Sequence, residues 1–382
     1  MDTTSCFLGK GCLSNELVLS YGDTASGGGG ERFMDPVELL KNLSDQFGVS
    51  GFEGEVREWI GRNIKEFVDE MEIDVLGNLM ARINPGRDFV LMLDAHMDEI
   101  GILVSYVEES GFLRFATIGG WDPRVFPAQQ VEIRSRDSKI HRGVIGASPP
   151  HIQTAEEQKQ ALKAEDLFVD VGARSREEVV GLGVGPGCPG NIRYPFQLLG
   201  KDRVMGKALD DRVGCAVLMR CLEYFSTNRP DFTLVANFAV CEEVGLRGAK
   251  TAAYQIKPDV AIVIEGTVGA DTPGIPGHKC PARLGLGPAL SVGDKSIIVN
   301  PSMVAFIEQI AEKMKIPWQH KVPLTGGTDA GEIHVSGKGV LTGIISVPCR
   351  YIHSPSSVVD LRDVDHTLSL VIEVARRGRE VA

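Results

Sequence analysis

Apolar residues at 56, 59, 60, 64, 67 and 68 recur at helical spacing and predict a helix over 55–71. Ahead of it, Asp35-Pro36 offers an N-cap and a first-turn proline for a helix reaching about Phe47, with a turn over 48–54. Strands are then predicted at 72–76 and 79–83, either side of Gly77-Asn78. The continuous apolar run 89–93 predicts a buried central strand. From about Gly101 to Gly206 the texture changes. Short β-type runs at 102–107, 113–118, 130–133, 167–171 and 196–199 stand between Gly and Pro, with little helical period, and predict an inserted small β-barrel or sandwich. Afterwards helices (211–225, 248–254, 303–314, 364–377) alternate with apolar strands (232–240, 260–264, 340–346). That alternation predicts an α/β fold, a mostly parallel sheet with helices on both faces.

Composition narrows the picture. At 382 residues, the chain is long enough for about two domains, or one large domain with an insertion. Residues 1–33, with four glycines in a row and no periodicity, read as a disordered extension or an appended artefact, and Met34 as a natural start. A net charge of -11 argues against a nucleic-acid binder. No run approaches the ~18 apolar residues of a membrane span, and the N-terminus lacks a secretory pattern. Eight cysteines without a CxxC pair read as reduced thiols of a cytoplasmic protein, so a metal here would use His, Asp and Glu.

Such residues cluster where strands are predicted to end, the usual ligand edge of an open α/β sheet. Strand 89–93 runs into Asp94-Ala95-His96-Met97-Asp98-Glu99, where His96 and Asp98 share a side of an extended segment. A carboxylate beside a histidine commonly orients it as a metal ligand, although an acidic surface loop would look the same. Asp210-Asp211 precedes a helix, as two plain N-caps or as one acid bridging two cations. Glu242-Glu243 follows strand 232–240, so one can bind metal while the other moves a proton. Glu265 is predicted just past strand 260–264, and His353 follows the segment 347–353. Two imidazoles and three carboxylates suit a pair of Zn²⁺ ions, or Co²⁺ or Mn²⁺. Two ions about 3.5–4 Å apart acidify a shared water for attack on a carbonyl. Glu242 is the candidate to carry the proton to a leaving amine.

With these residues in place, the sequence resembles the glutamyl aminopeptidase and deblocking aminopeptidase family, the tetrahedral (TET-type) two-metal peptidases, from about Met34 to the C-terminus. The resemblance rests on the order and spacing of several motifs: His96-Met97-Asp98-Glu99-Ile100-Gly101, Leu209-Asp210-Asp211-Arg212, Glu242-Glu243-Val244-Gly245, Asp271-Thr272-Pro273-Gly274, Gly326-Gly327-Thr328-Asp329-Ala330 and Arg350-Tyr351-Ile352-His353-Ser354-Pro355. It implies a phosphorylase/hydrolase-like co-catalytic metallopeptidase fold. Asp210 would bridge the metals, with Asp211 following through a strained peptide bond. His96 and Glu265 would complete one metal site, Glu243 and His353 the other. Asp98 would support His96, and Glu242 would act as general base and then acid. Gly326, Gly327, Thr328 and Asp329 would shape the substrate pocket. The family's division implies a catalytic domain over 34–104 and 204–382, and an inserted dimerisation domain over 105–203 whose dimers build a hollow dodecamer.

Many relatives carry Asp where this chain has Glu265, and a Glu near position 357 where it has Ser356-Ser357. The resulting expectation is a metal-dependent aminopeptidase acting on short peptides. Rivals are an N-acyl amidohydrolase or carboxypeptidase on the same centre, a non-catalytic homologue, and a glycosidase, since relatives have been labelled endoglucanases. Glycoside hydrolysis needs two carboxylates flanking a sugar rather than a metal pair.

Overall fold

The structure, a computed structural model, describes residues 35–156 and 159–382. The extension read over 1–33 and the start at Met34 lie outside the described residues. Helix Pro36–Asp45 is capped as its sequence dictates: Asp35 Oδ1 accepts from the N–H groups of Val37 at 2.9 Å and Glu38 at 3.2 Å. The next helix is shorter than its apolar period suggests. Gly54–Ile64 is helical, a 3-10 turn covers Lys65–Phe67, and Glu70–Ile73 is already a strand, paired antiparallel with Leu79–Ile83. The predicted strand 72–76 therefore gives up 74–76 to the hairpin turn, where Asp74 Oδ1 accepts from the N–H groups of Gly77 and Asn78.

The large sheet runs, in spatial order, Glu70–Ile73, Leu79–Ile83, Thr233–Ala239, Val90–His96, Val260–Gly269, Leu341–Arg350, Ser357–Asp360, Arg203–Gly206 and Gln197–Leu199. The sheet is mixed. Its centre, from Thr233–Ala239 to Leu341–Arg350, is parallel, and both flanks are antiparallel. The parallel strands are buried nearly throughout, which explains their unbroken apolar runs. The strand predicted at 260–264 continues to Gly269, so Glu265 sits opposite Ser346 inside a paired strand rather than beyond its end. Helix Leu209–Thr227 packs on the central strands and on the final helix, Leu361–Arg376; Arg247–Ile256 packs on Thr233–Ala239 and on the short helix Ala330–Ile333.

The inserted region closes as a six-stranded barrel in the order Gly101–Val107, Leu113–Ile118, Phe168–Asp170, Ile140–Gly146, Gln130–Arg134, Pro189–Ile192. It has its own core, including Leu113, Phe115, Phe126, Val131, Ile133 and Val169. The run predicted at 196–199 does not join it. Gln197–Leu199 pairs with Arg203–Gly206 at the edge of the large sheet. Two barrel strands escape the sequence pattern. Ile140–Gly146 is largely exposed along one side, and Pro189–Ile192 opens on Pro-Gly, which reads as a turn. A helix also interrupts the region at Arg176–Gly181, with Ser175 Oγ accepting from the Glu178 N–H.

Candidate metal centre

Parallel pairing brings the C-terminal ends of neighbouring strands to one edge of the sheet, and the chemistry-bearing side chains gather there. His96 is the last residue of Val90–His96 and stands opposite Ala239. The chain leaves that neighbouring strand through Cys241-Glu242-Glu243. Glu265 comes from the next strand, and His353 from the turn after Leu341–Arg350. Asp210 enters from the start of the long helix, where Asp210 and Asp211 depart from helical dihedrals and are joined by a cis peptide bond. The two acids divide their tasks: Asp211 Oδ1 accepts from the Gly214 N–H at 3.0 Å and caps the helix, leaving Asp210 to reach the cluster.

His96 Nε2 lies 3.6 Å from Asp210 Oδ1, 3.7 Å from Glu265 Oε2 and 4.0 Å from Glu242 Oε2. His353 Nε2 lies 3.5 Å from Asp210 Oδ2 and 3.2 Å from Glu243 Oε2. Asp210 thus turns one oxygen toward each imidazole. Among the described residues, the sets of three able to offer ligand atoms within 4.8 Å of one another all belong to this cluster: His96, Asp210 and Glu265; Asp210, Glu243 and His353; His96, Glu242 and Glu243.

The electrostatics follow from burying so many acids together. Burial opposes the charged form of His96, but Asp210 and Asp98 outweigh it and hold the imidazolium well above its ordinary range. The same contest lifts His353 to about 11, with Asp210 and Glu243 prevailing over burial. Burial pushes the Glu242 carboxyl up to about 8, with His96 opposing and Glu243, Asp98 and Asp210 reinforcing. Glu265 is raised well above the ordinary carboxyl range, again mainly by burial.

The donor set fits a pair of divalent cations. Asp210 Oδ1 and Glu265 Oε1 are buried and accept no hydrogen bond, a costly state for a carboxylate oxygen unless a cation meets it. Imidazole nitrogens mixed with carboxylate oxygens are the ligands that Zn²⁺-type ions take.

The structure brings His96, Asp98, Asp210, Glu242, Glu243, Glu265 and His353 together. Asp98 sits beneath them, fully buried. His96 Nδ1 is 3.2 Å from its backbone oxygen and 3.5 Å from its carboxylate, which accepts from Ser50 Oγ at 2.6 Å and from the N–H groups of Glu242 and Glu243. The Gly326–Asp329 segment behaves differently. Thr328 Oγ1 donates to Asp294 at 2.9 Å, and Asp329 is fully buried, its carboxyl pushed well up by burial and by Asp94. Gly326 turns the chain at φ +70°.

Several residues here were invisible in sequence. A small cleft beside Asp210, Glu243 and His353 is walled by Ile100, Trp121, Ile192 and Lys207. Lys207 is buried and gives its ammonium to both oxygens of Glu99, at 2.8 and 2.9 Å. Trp121 and Ile192 belong to the inserted region. The Trp121 indole N–H donates to Gly101 O and Ile118 O, and Gly119-Gly120 passes so close that a Cβ on Gly120 would lie 3.1 Å from His353 Nδ1. The one signal for this contact was Gly-Gly followed by an aromatic residue among β-type runs.

Comparison with known proteins identifies the family. The family described as M42 glutamyl aminopeptidase matches residues 77–370. The chain is 35% identical over 336 residues to the lysyl aminopeptidase of Pyrococcus furiosus, covering 87% of this chain and 94% of that one. A TET aminopeptidase from the marine sediment archaeon Thaumarchaeota archaeon SCGC AB-539-E09 superimposes with a TM-score of 0.87 at 36% identity, over 90% of this chain and 96% of that one. The Pyrococcus horikoshii TET1 peptidase, which can assemble into a tetrahedron or a large octahedral shell, gives 0.81 at 33% identity, over 89% and 99%.

Proposed function

The chain belongs to the M42 glutamyl aminopeptidase family and is a hydrolase of the aminopeptidase class, and from that premise we propose that it removes N-terminal residues from short peptides at the His96–Asp210–His353 centre. The observation carrying this reading is Asp210 between two imidazoles, one oxygen toward each, with Glu242 left beside them as the proton carrier. His96, Asp210 and Glu265 would hold one divalent cation, and Asp210, Glu243 and His353 the other, Zn²⁺ first, with Co²⁺ or Mn²⁺ also suited to the donors. When bound, such a pair acidifies a water and stabilises the negative charge that builds on the peptide carbonyl oxygen.

The chain's own residues do the rest. Glu242 accepts a proton from the attacking water as its oxygen bonds to the carbonyl carbon. It returns that proton to the amine nitrogen as the C–N bond breaks. Burial raises its carboxyl above the ordinary range, which suits a group that must take a proton and hold it. Asp98 holds Glu242 by its backbone N–H and His96 by the far side of its ring. Gly326, Gly327, Thr328 and Asp329 would shape the substrate pocket, with Thr328 held by Asp294. A division into a catalytic part, 34–104 with 204–382, and an inserted part, 105–203, is supported by the separate barrel core only in outline, since that core takes in Ile102 and Val104. The likeness to a peptidase that can assemble into a tetrahedron or an octahedral shell supports a homo-oligomer, and dimers assembling into a dodecamer are the form proposed for it. A cytoplasmic location is supported by the six free thiols among the described residues.

The test is removal of metal by chelator, restoration with Zn²⁺, Co²⁺ or Mn²⁺, and assay on a panel of aminoacyl-nitroanilides. Metal-restored release is expected, with Glu242→Gln lowering it about 10²–10⁴-fold while both ions stay bound. No release by protein carrying two ions would turn the reading toward an N-acyl substrate.

A further inference from the structure

Three consecutive backbone amides after strand Thr233–Ala239 end on carboxylates brought from elsewhere. The Glu242 and Glu243 N–H groups donate to Asp98, at 3.0 and 3.2 Å. The Cys241 N–H donates to Glu53 Oε1 at 3.1 Å, across 188 residues of sequence. Asp98 has a place in the centre already. Glu53 has none, yet it is 3% exposed.

Glu53 occupies the N-cap position of helix Gly54–Ile64, but its side chain does not cap that helix. Oε1 turns instead to the N–H groups of Gly51, at 2.8 Å, and Cys241, with Cys241 Sγ 3.6 Å away. Cys241 needs an outside hold. Its φ of +55° lies in the left-handed region that L-residues avoid and that persists only where surroundings over-determine it. From this turn the two glutamates diverge, Glu242 toward His96 and Glu243 toward His353. The turn 50–53 grips the other anchor too, since Ser50 Oγ donates to Asp98 at 2.6 Å.

We propose that Glu53 is a positioning residue: by holding the Cys241 amide it fixes the left-handed turn that aims Glu242 at the reacting carbonyl and Glu243 at its cation. The inference rests on the aminopeptidase reading for its kinetic consequence, and on the turn alone for its structural one, so the two can fail separately.

The experiment compares Glu53→Ala and Glu53→Gln with wild type in kcat, KM, bound metal and hydrogen exchange of the segment 240–244. Gln keeps an oxygen that accepts from Cys241; Ala does not. Loss of a hydrogen-bonding partner behind a metal ligand costs about 10–100-fold, so E53A is expected to lower kcat by that factor, with KM within about twofold and two ions retained. E53Q should recover most of kcat. Exchange in 240–244 should quicken at least about tenfold in E53A and stay slow in E53Q. If E53A does not fold, Glu53→Asp, one methylene short of the Cys241 amide, makes the same comparison. A kcat within twofold of wild type would overturn the proposal, as would a loss that tracks metal content and is not rescued by Gln. If wild type with two ions cleaves none of the substrates, the aminopeptidase reading fails, and exchange decides alone: unchanged exchange in E53A overturns the positioning role.

Discussion

The two halves of the centre share Asp210 and are otherwise built differently. The inner half is core: the side chains of His96 and Glu265 are 1% and 4% exposed and stand on paired strands. The outer half is loop: His353 is 38% exposed and follows a turn in which Tyr351 and His353 both hold positive φ. Behind the inner half lies the large sheet; beside the outer half lies a turn of the inserted region, Gly119-Gly120-Trp121. On the proposed reading, the inner cation site would be part of what stabilises the fold, and the outer one would be where substrate and solvent arrive.

The strongest attempt to break that contrast is to delete each histidine in turn. His96→Ala leaves Asp210 and Glu265 buried without their imidazole, and is expected to lose both ions and about 3–5 kcal/mol of stability. His353→Ala should keep the inner ion and nearly the wild-type melting temperature. Metal analysis and thermal melts of both variants check this, and equal losses would erase the distinction between the halves.

Gly120→Ala sharpens the contrast without touching a ligand. Its Cβ would lie 3.1 Å from His353 Nδ1, tight enough to move the ring by a few tenths of an ångström. About a tenfold weaker outer ion is expected, with the inner ion unaffected, in a competitive chelator titration. A single-phase titration with both ions weakened would show the halves to be one unit.

The smallest effect is a control outside the centre. Asp365, on the final helix, is pushed up to about 7 by burial, with Arg220 opposing. Its folded pKa exceeds its unfolded one, so the protonated form contributes stability below about pH 4 that is lost as pH rises to about 7. Asp365→Asn should therefore stabilise the protein by about 1 kcal/mol at pH 8, after solvent screening at this partly exposed site, and less at pH 4.5. Aminopeptidase activity should not change. A gain independent of pH would refute the assignment to Asp365.

How much of this was legible in sequence depended on distance along the chain. His96, Asp98, Glu242 and Glu243 stood out because each follows an apolar run, and a buried parallel strand announces itself without help from its neighbours. Glu265 was found, but misplaced beyond a strand end, because the polar residues that end the run at Ile264 still pair through Gly269. The helix read over 55–71 overran for the opposite reason. The apolar period continues through Phe67 and Val68, yet 70–73 gain more from pairing with Leu79–Ile83 than from another helical turn. Glu53 and Lys207 carried no local mark at all, and Gly120 only the Gly-Gly-aromatic pattern of its turn.

What the sequence determined by itself was the list of chemically competent residues and the strands that present them, since charge, donor type and apolar period are properties of neighbours along the chain. Tertiary structure alone decided which carboxylate does what. Asp210 reaches the centre while Asp211 caps a helix, Asp98 holds amides as well as an imidazole, and Glu53 leaves its own helix uncapped to hold Cys241. The physical reason is that a buried carboxylate takes its role from the donors within about 3 Å of it. Those donors come from segments as much as 188 residues away, brought together by sheet pairing rather than by sequence.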